Sequence, residues 1–307
     1  MPPRLRPAVD ALLARSPAQG LFRRRAAGRL TVLAYHCVDD GDRFAAQLDE
    51  LLASGHNPLT LDDTLAALAG QRTLPRRALL VSFDDGDRSI LEAGLPALRA
   101  RGVPAVAFVV AGLVDGTRPP WWVEAEAWLA SGGRSPLLEG QEAPAAARLL
   151  KKLPDAVRRQ ALEELRQTAT ASCPPVPQLT SAELQQLTSG GVAVGNHTWS
   201  HPCLPRCDDA VLRDEVVRAH ERLTAILGAP PRAFAYPNGD YDPRAAGLLA
   251  ELGYGAAFLF DHRHARPRGG DRFRVSRLRV AATTSRDRFR IILSGLHPAL
   301  HRLAGRR

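Results

Sequence analysis

Four side chains in this sequence have the types and spacing for hydrolytic chemistry. Asp84 and Asp85 are adjacent carboxylates that close the apolar run Ala78 to Phe83, with Gly86 after them. His197 and His201 stand four residues apart in Asn196-His197-Thr198-Trp199-Ser200-His201. Two carboxylates at a strand's mouth repel each other and resist desolvation, so a cation is the expected compensation. Two His and one carboxylate, with a coordination position left open, make a catalytic rather than a structural zinc site. A metal lowers the pKa of bound water toward ~7, so the second carboxylate can take its proton. On a helical turn, histidines four apart share one face, which is the expected way for His197 and His201 to meet a metal. Either half alone says little, because Asp-Asp-Gly is commonly a turn or a helix N-cap. The two halves together are specific.

Elements must bring these residues together. Strand-like runs occur at Leu30 to Tyr35, Ala78 to Phe83, Pro104 to Val110, Gly191 to Gly195, Arg232 to Tyr236, Gly255 to Phe260 and Arg274 to Val280. Helical patterns fill the intervals, as at Phe44 to Ala53, Ile90 to Arg101, Asp208 to Leu227 and Pro243 to Leu252. Alternating β and α elements predict an α/β protein with parallel strands inside and helices outside. Seven such strands suit a (β/α) barrel better than a small open sheet. Polar motifs recur just after the strands: Tyr35-His36, Asp84-Asp85, His197 with His201, Tyr236-Pro237-Asn238-Gly239, and His262 with His264. In parallel barrels the C-terminal strand ends converge on one face, where active sites form. Residues 119–180 break the rhythm and predict a helical insertion, with Trp121 and Trp122 near its start.

Composition narrows the class. The chain has 307 residues, 45% hydrophobic and 24% charged, which suits a soluble globular protein. The net charge of +9 comes from Arg, with Lys151 and Lys152 the sole lysines, and favours acidic partners. No aromatic–basic interleaving points to nucleic acid. No stretch approaches the ~20 apolar residues of a membrane span, and no signal-type apolar region follows the N-terminus. Cys37, Cys173, Cys203 and Cys207 are scattered, which fits reduced thiols in the cytoplasm.

On these motifs the chain resembles the NodB-homology polysaccharide deacetylases, carbohydrate esterase family 4, over residues 29–295. Ser82-Phe83-Asp84-Asp85-Gly86 is similar to that family's first motif, which implies Asp84 as base and Asp85 as metal ligand. His197-Thr198-Trp199-Ser200-His201 is similar to the second, whose two His complete the metal site. Phe234-Ala235-Tyr236-Pro237-Asn238-Gly239 is similar to the third, which implies that Tyr236 and Pro237 line the groove and that the Asn238 N–H faces the oxyanion. Tyr35, His36, Trp121 and Trp122 resemble substrate-side features of the exopolysaccharide-type branch. The resemblance implies a distorted (β/α) barrel of about seven parallel strands, a divalent metal such as Zn²⁺, and removal of N-acetyl groups from an amino-sugar polysaccharide or glycoconjugate.

Two positions depart from the pattern. The third motif of the family carries an Arg that orients the base, and here that position is Ala235. Arg277 or Arg279 is the expected substitute, since side chains two apart on a strand point the same way. The family's late acid His has no clear counterpart; His262, His264 and His297 in Leu296-His297 compete for it. An O-acetyl esterase and an inactive glycan-binding module are the alternative functions on the same scaffold. Residues 1–28 and 296–307 are basic extensions, and the basic amphipathic stretches Ala11 to Arg25 and Phe289 to Arg307 suit an anionic membrane surface as a second partner, at the inner face, or are ordinary solvated helices.

Overall fold

The computed structural model describes residues 6–266 and 270–303, so residues 1–5 and 304–307 of the two basic extensions lie outside the described residues. Short apolar runs become strands: β1 (Thr31–Tyr35), β2 (Asn57–Pro58), β3 (Ala78–Phe83), β4 (Ala105–Val109), β5 (Val192–Asn196), β6 (Ala233–Ala235), β7 (Ala256–Phe258) and β8 (Leu278–Arg279). Their pairings are parallel, in the order β7-β6-β5-β4-β3-β1-β8, with β2 beside the first residues of β3. Parallel neighbours need long crossovers, and helices such as Gly41–Ala53 and Asp209–Leu227 supply them. The latter is well delimited: the Asp208 side chain accepts from the Val211 N–H at 2.8 Å, and Gly228 ends the helix at φ 73°.

The sheet curls until its edges meet. Phe258 of β7 bridges Val275 in parallel, and a few residues on Leu278 and Arg279 pair with Leu33 and Ala34 of β1. One segment therefore serves both edges and closes a distorted (β/α) barrel. Changing partners midway also explains why the run Arg274 to Val280 yields so short a strand. The unforeseen strand is β2, whose two residues include a Pro and carry no apolar run to announce it.

Alternation along the strands assigns the two faces. Val32, Leu80, Val106, Phe108, Ala233, Ala235, Ala256 and Phe258 fill the interior, with Leu61 and Leu65 of the helix Leu61–Leu68 packed against them. The residues between them, such as Leu33, Tyr35, Val81, Phe83, Ala107 and Val194, pack under the helices with Phe44, Leu48 and Leu98.

The helical insertion falls between β4 and β5. Helices Trp121–Ala130, Ala143–Leu150 and Asp155–Thr168 enclose a small core that includes Trp121, Trp128, Ala146 and Leu162. Before β1 come helices Arg6–Arg15 and Ala18–Ala26, the first tied to the helix Arg286–Leu293 by Arg288 and Asp10 at 3.2 Å. A last helix spans Leu296–Leu303, and no described helix is long and apolar enough to cross a membrane.

Candidate active site

Asp84 and Asp85 leave β3 where the chain turns sharply. Asp85 takes a left-handed backbone (φ 70°), a region that Asp tolerates better than most residues, and Gly86 follows at φ 81°. A Cβ at Gly86 would stand 3.1 Å from Val109, so only glycine fits that turn without displacement. Asp84 continues the inward parity of Leu80 and Ser82, while Phe83 faces the helices.

Asp84 is buried against Arg277, which is itself fully buried. The Arg277 Nη1 and Nη2 donate to the two Asp84 carboxylate oxygens at 2.7 and 2.8 Å. Its Nε donates to the Leu259 carbonyl at 2.7 Å, and Nη1 also reaches the Ser82 hydroxyl at 3.2 Å. Such a bidentate pair fixes the plane of the carboxylate as well as its charge. Arg279, one pleat further along, is exposed and lies near the Phe260 ring. Between the two candidate arginines, the structure brings Arg277 to Asp84. The small Ala235 belongs to the same interior, so the residue just before β8 delivers a guanidinium to a barrel in which β6 supplies only a methyl group.

The expected helical turn for His197 and His201 is not present. Both follow β5 on a tight loop in which Thr198 (φ 68°) and His201 (φ 59°) adopt left-handed backbones. For a β-branched residue that conformation is an outlier, costing about 1–2 kcal/mol, and the surroundings hold it. The Asn196 side chain accepts from the Thr198 N–H at 2.7 Å, and the Thr198 hydroxyl accepts from the His201 N–H at 3.0 Å. Glu215, from the helix Asp209–Leu227, accepts from the Ser200 N–H at 2.8 Å and its hydroxyl at 2.5 Å. The loop brings the two imidazoles within 4.8 Å, centroid to centroid.

Asp85, His197 and His201 converge, with one ligand atom from each within 4.8 Å of the others. The Asp85 Oδ1 lies 3.4 Å from both Nε2 atoms, and it is buried with no hydrogen-bond partner. The His197 Nδ1 lies 2.8 Å from the Ala235 carbonyl, which can only accept, so Nδ1 carries a proton and Nε2 is the nitrogen left to meet a cation beside Asp85. An orphaned buried carboxylate oxygen facing two ring nitrogens is the environment a divalent cation completes. These residues fit a metal. Among the described residues no other His, Cys, Asp or Glu group does, and Cys203 and Cys207 are free thiols pushed up to about 11 and about 12, chiefly by burial.

Charge tuning follows from the same contacts. Burial alone would raise the Asp84 carboxyl, but the Arg277 and His197 charges outweigh it and hold the group below the ordinary carboxylate range. Asp85 is also held low against burial, by His197 and His201. Burial pushes His201 down, while His197 is raised because its contacts with Asp85 and Asp84 outweigh burial.

Several expected site residues stand elsewhere. Tyr35 is fully buried under the helices, its hydroxyl donating to Gln47 at 2.8 Å, so it offers a substrate nothing. Tyr236 is likewise outside the barrel wall, bonded to the Phe273 carbonyl at 3.1 Å, and Pro237 is buried. Trp121 is buried too; its Nε1 donates to the His201 carbonyl at 3.0 Å, and the Arg158 guanidinium lies over its ring. His264 hydrogen-bonds with Thr31 at the start of β1, the opposite strand end from Asp84. His262 packs among Phe260, His297 and His301 rather than on the carboxylate pair.

The remaining expected residues are near the centre. His36 is half-buried just after β1, its ring edge-on to Phe260 at 5.5 Å between centroids. Trp122 meets the His201 ring at 4.6 Å and borders a 200 Å³ cavity between barrel and insertion. In that cavity wall a Cβ on Gly112 would stand 2.5 Å from the Trp199 carbonyl, so glycine is required there. Asn238 turns the chain after β6 with φ 56°, its side chain on the Cys203 sulfur. Asn196 and Glu215 were missed by sequence reasoning; a polar residue closing an apolar strand, as Asn196 does, was the one available signal.

A barrel carrying this constellation at its strand ends defines a hydrolase-like scaffold with a metal-type ligand set. The model of the family described as polysaccharide deacetylase matches residues 71–257, and the chain belongs to that family. Among solved structures, it is similar to IcaB from Ammonifex degensii at 23% identity and a TM-score of 0.61, covering 88% of this chain and 97% of that one. The deacetylase PplD of Streptococcus pyogenes, in complex with acetate, gives 17% and 0.60 over 87% and 96%. A de-N-acetylase from Aggregatibacter actinomycetemcomitans gives 18% and 0.60 over 86% and 99%. At these identities the likeness establishes the fold. A search among curated proteins finds no match.

Proposed function

We propose that this polysaccharide deacetylase removes N-acetyl groups from an amino-sugar-containing polysaccharide or glycoconjugate, as a member of the exopolysaccharide-type branch. The observation that carries the reading is Asp84, kept charged and oriented by Arg277 and set directly beside Asp85, His197 and His201. A glycan-binding module has no use for a buried, oriented base there. Asp85, His197 and His201 would hold the cation, and zinc suits this two-His, one-carboxylate set. When bound, such a cation polarises a carbonyl oxygen and lowers the pKa of water.

The chain's own residues supply the rest. Asp84 takes the proton of the attacking water, and Arg277 keeps its carboxylate ionised and aimed. The Asn238 N–H faces the amide oxygen as negative charge develops there. His36, which follows β1 at the same strand end and lies outside the ligand set, delivers a proton to the leaving amine. Trp122 offers a ring face or edge to the sugar beside His201.

The test is acetate release from N-acetylated amino-sugar oligosaccharides and from O-acetylated glycans, with and without chelator. Chelator-sensitive release from the amides is expected. Release confined to O-acetyl esters would replace the amide reading, and release indifferent to chelation would overturn the metal assignment.

A further inference from the structure

Arginines gather at the strand end opposite Asp84. A 410 Å³ cavity there is lined by Arg29, Arg263, Arg266 and Arg274, with Asp271 as its one carboxylate. A 440 Å³ cavity shares Arg29 and Arg266 and adds Arg72. Arg29 precedes β1 whereas Asp84 follows β3, and at a rise of ~3.3 Å per residue the two lie about 20 Å apart.

Arg72 pairs with Asp63, but the other charges are poorly compensated from within. Among the described residues, no carboxylate pairs with Arg29, Arg266 or Arg274, and Arg274 lies over the Tyr241 ring at 4.6 Å. Arg263 reaches Asp261 only at 4.0 Å, and that carboxylate already accepts from Ser276 at 2.9 Å. Asp271 accepts from the Phe273 N–H at 2.8 Å, so part of its charge is turned to the backbone. Like charges around one concavity repel each other, and they focus positive potential inside it. Guanidinium forks match the oxygens of a phosphate in geometry and charge.

We infer that this basic cavity binds a phosphate-bearing anion, at a site separate from the deacetylation centre. Both a lipid headgroup and a soluble phosphate carry that chemistry. The rim favours the headgroup. The helix Ala18–Ala26 ends just before Arg29, carries Arg23, Arg24 and Arg25, and leaves Leu21 50% exposed. The helix Leu296–Leu303, whose Pro298 lines the cavity, leaves Leu303 85% exposed. Apolar side chains beside clustered cations suit an anionic bilayer surface.

The experiment titrates inorganic pyrophosphate by calorimetry at low salt, and sediments the protein with phosphatidylglycerol or phosphatidylcholine vesicles. The chain is compared with Arg29→Gln/Arg274→Gln and Arg29→Glu/Arg274→Glu, each checked by circular dichroism and metal content. Pyrophosphate binding should weaken at least tenfold in the Gln pair and vanish in the Glu pair, with fold and metal content unchanged. Co-sedimentation with phosphatidylglycerol alone, lost in both variants, assigns the site to a headgroup; pyrophosphate binding without vesicle binding assigns it to a soluble phosphate. If the unaltered chain binds neither probe, or the variants bind as it does, the inference is wrong.

Discussion

Asp84 is under two opposed influences, and removing one should reveal the other. Burial raises its carboxyl, while Arg277 and His197 lower it and prevail. The Asp84 carboxyl should therefore stay ionised below the ordinary Asp value of ~3.9, so that it does not set the acid limit of activity. Arg277→Met removes the guanidinium and leaves burial, so the acid limb of kcat/KM should move to higher pH; an unmoved limb would sever Arg277 from the base. Arg277→Lys keeps the charge without the fork and should fall between the two. The depressed Asp84 also stabilises the fold at pH above its unfolded value, a contribution lost as acid protonates it. Breaking a buried pair from one side costs about 3–5 kcal/mol, so the Met variant must be assayed well below its melting temperature. Asp84→Asn should reduce kcat by about 10²–10⁴ while keeping metal, measured by elemental analysis. The four chemical residues were legible because each is costly without a partner. Arg277 was legible only to within one pleat, because parity is shared with Arg279 and depth in the barrel decides between them. Tyr35 and Tyr236 were misplaced for a related reason: neighbours on a strand face opposite ways, so Tyr35 and His36 do not both look inward.

The element that matters most for the candidate metal site is the loop after β5. Its left-handed Thr198 and His201 persist because Asn196 and Glu215 hold the backbone from either side. Glu215→Ala should leave the helix Asp209–Leu227 intact by circular dichroism and yet weaken metal binding by about 10–100-fold, read by chelator competition. Unchanged affinity would show that the loop keeps its shape unaided. The sequence placed the His pair at the right strand end but on the wrong element. Spacing of four is equally satisfied by a helical turn and by a loop with positive φ, and only the surrounding hydrogen bonds distinguish them.

At the scale of the molecule, the candidate metal ligands come from two strand ends distant in the chain, Asp85 after β3 and the histidines after β5. A ligand that binds only the native state stabilises it, by about 2.7 kcal/mol at a hundredfold excess over Kd. Chelation should therefore lower the melting temperature by several degrees, and Asp85→Asn should abolish that response in thermal denaturation. The barrel itself was legible, since strand and helix patterns alternate along most of the chain; its closure was not, because the closing segment divides its pairing between β7 and β1. That seam has a consequence for synthesis. The three candidate ligands have all been translated by His201, whereas Arg277 arrives on the stretch that shuts the barrel. Glu215 and Ala235, which fix the histidines, follow His201, and Arg277 follows them all, so the site is completed in chain order and catalytic competence waits for a finished wall.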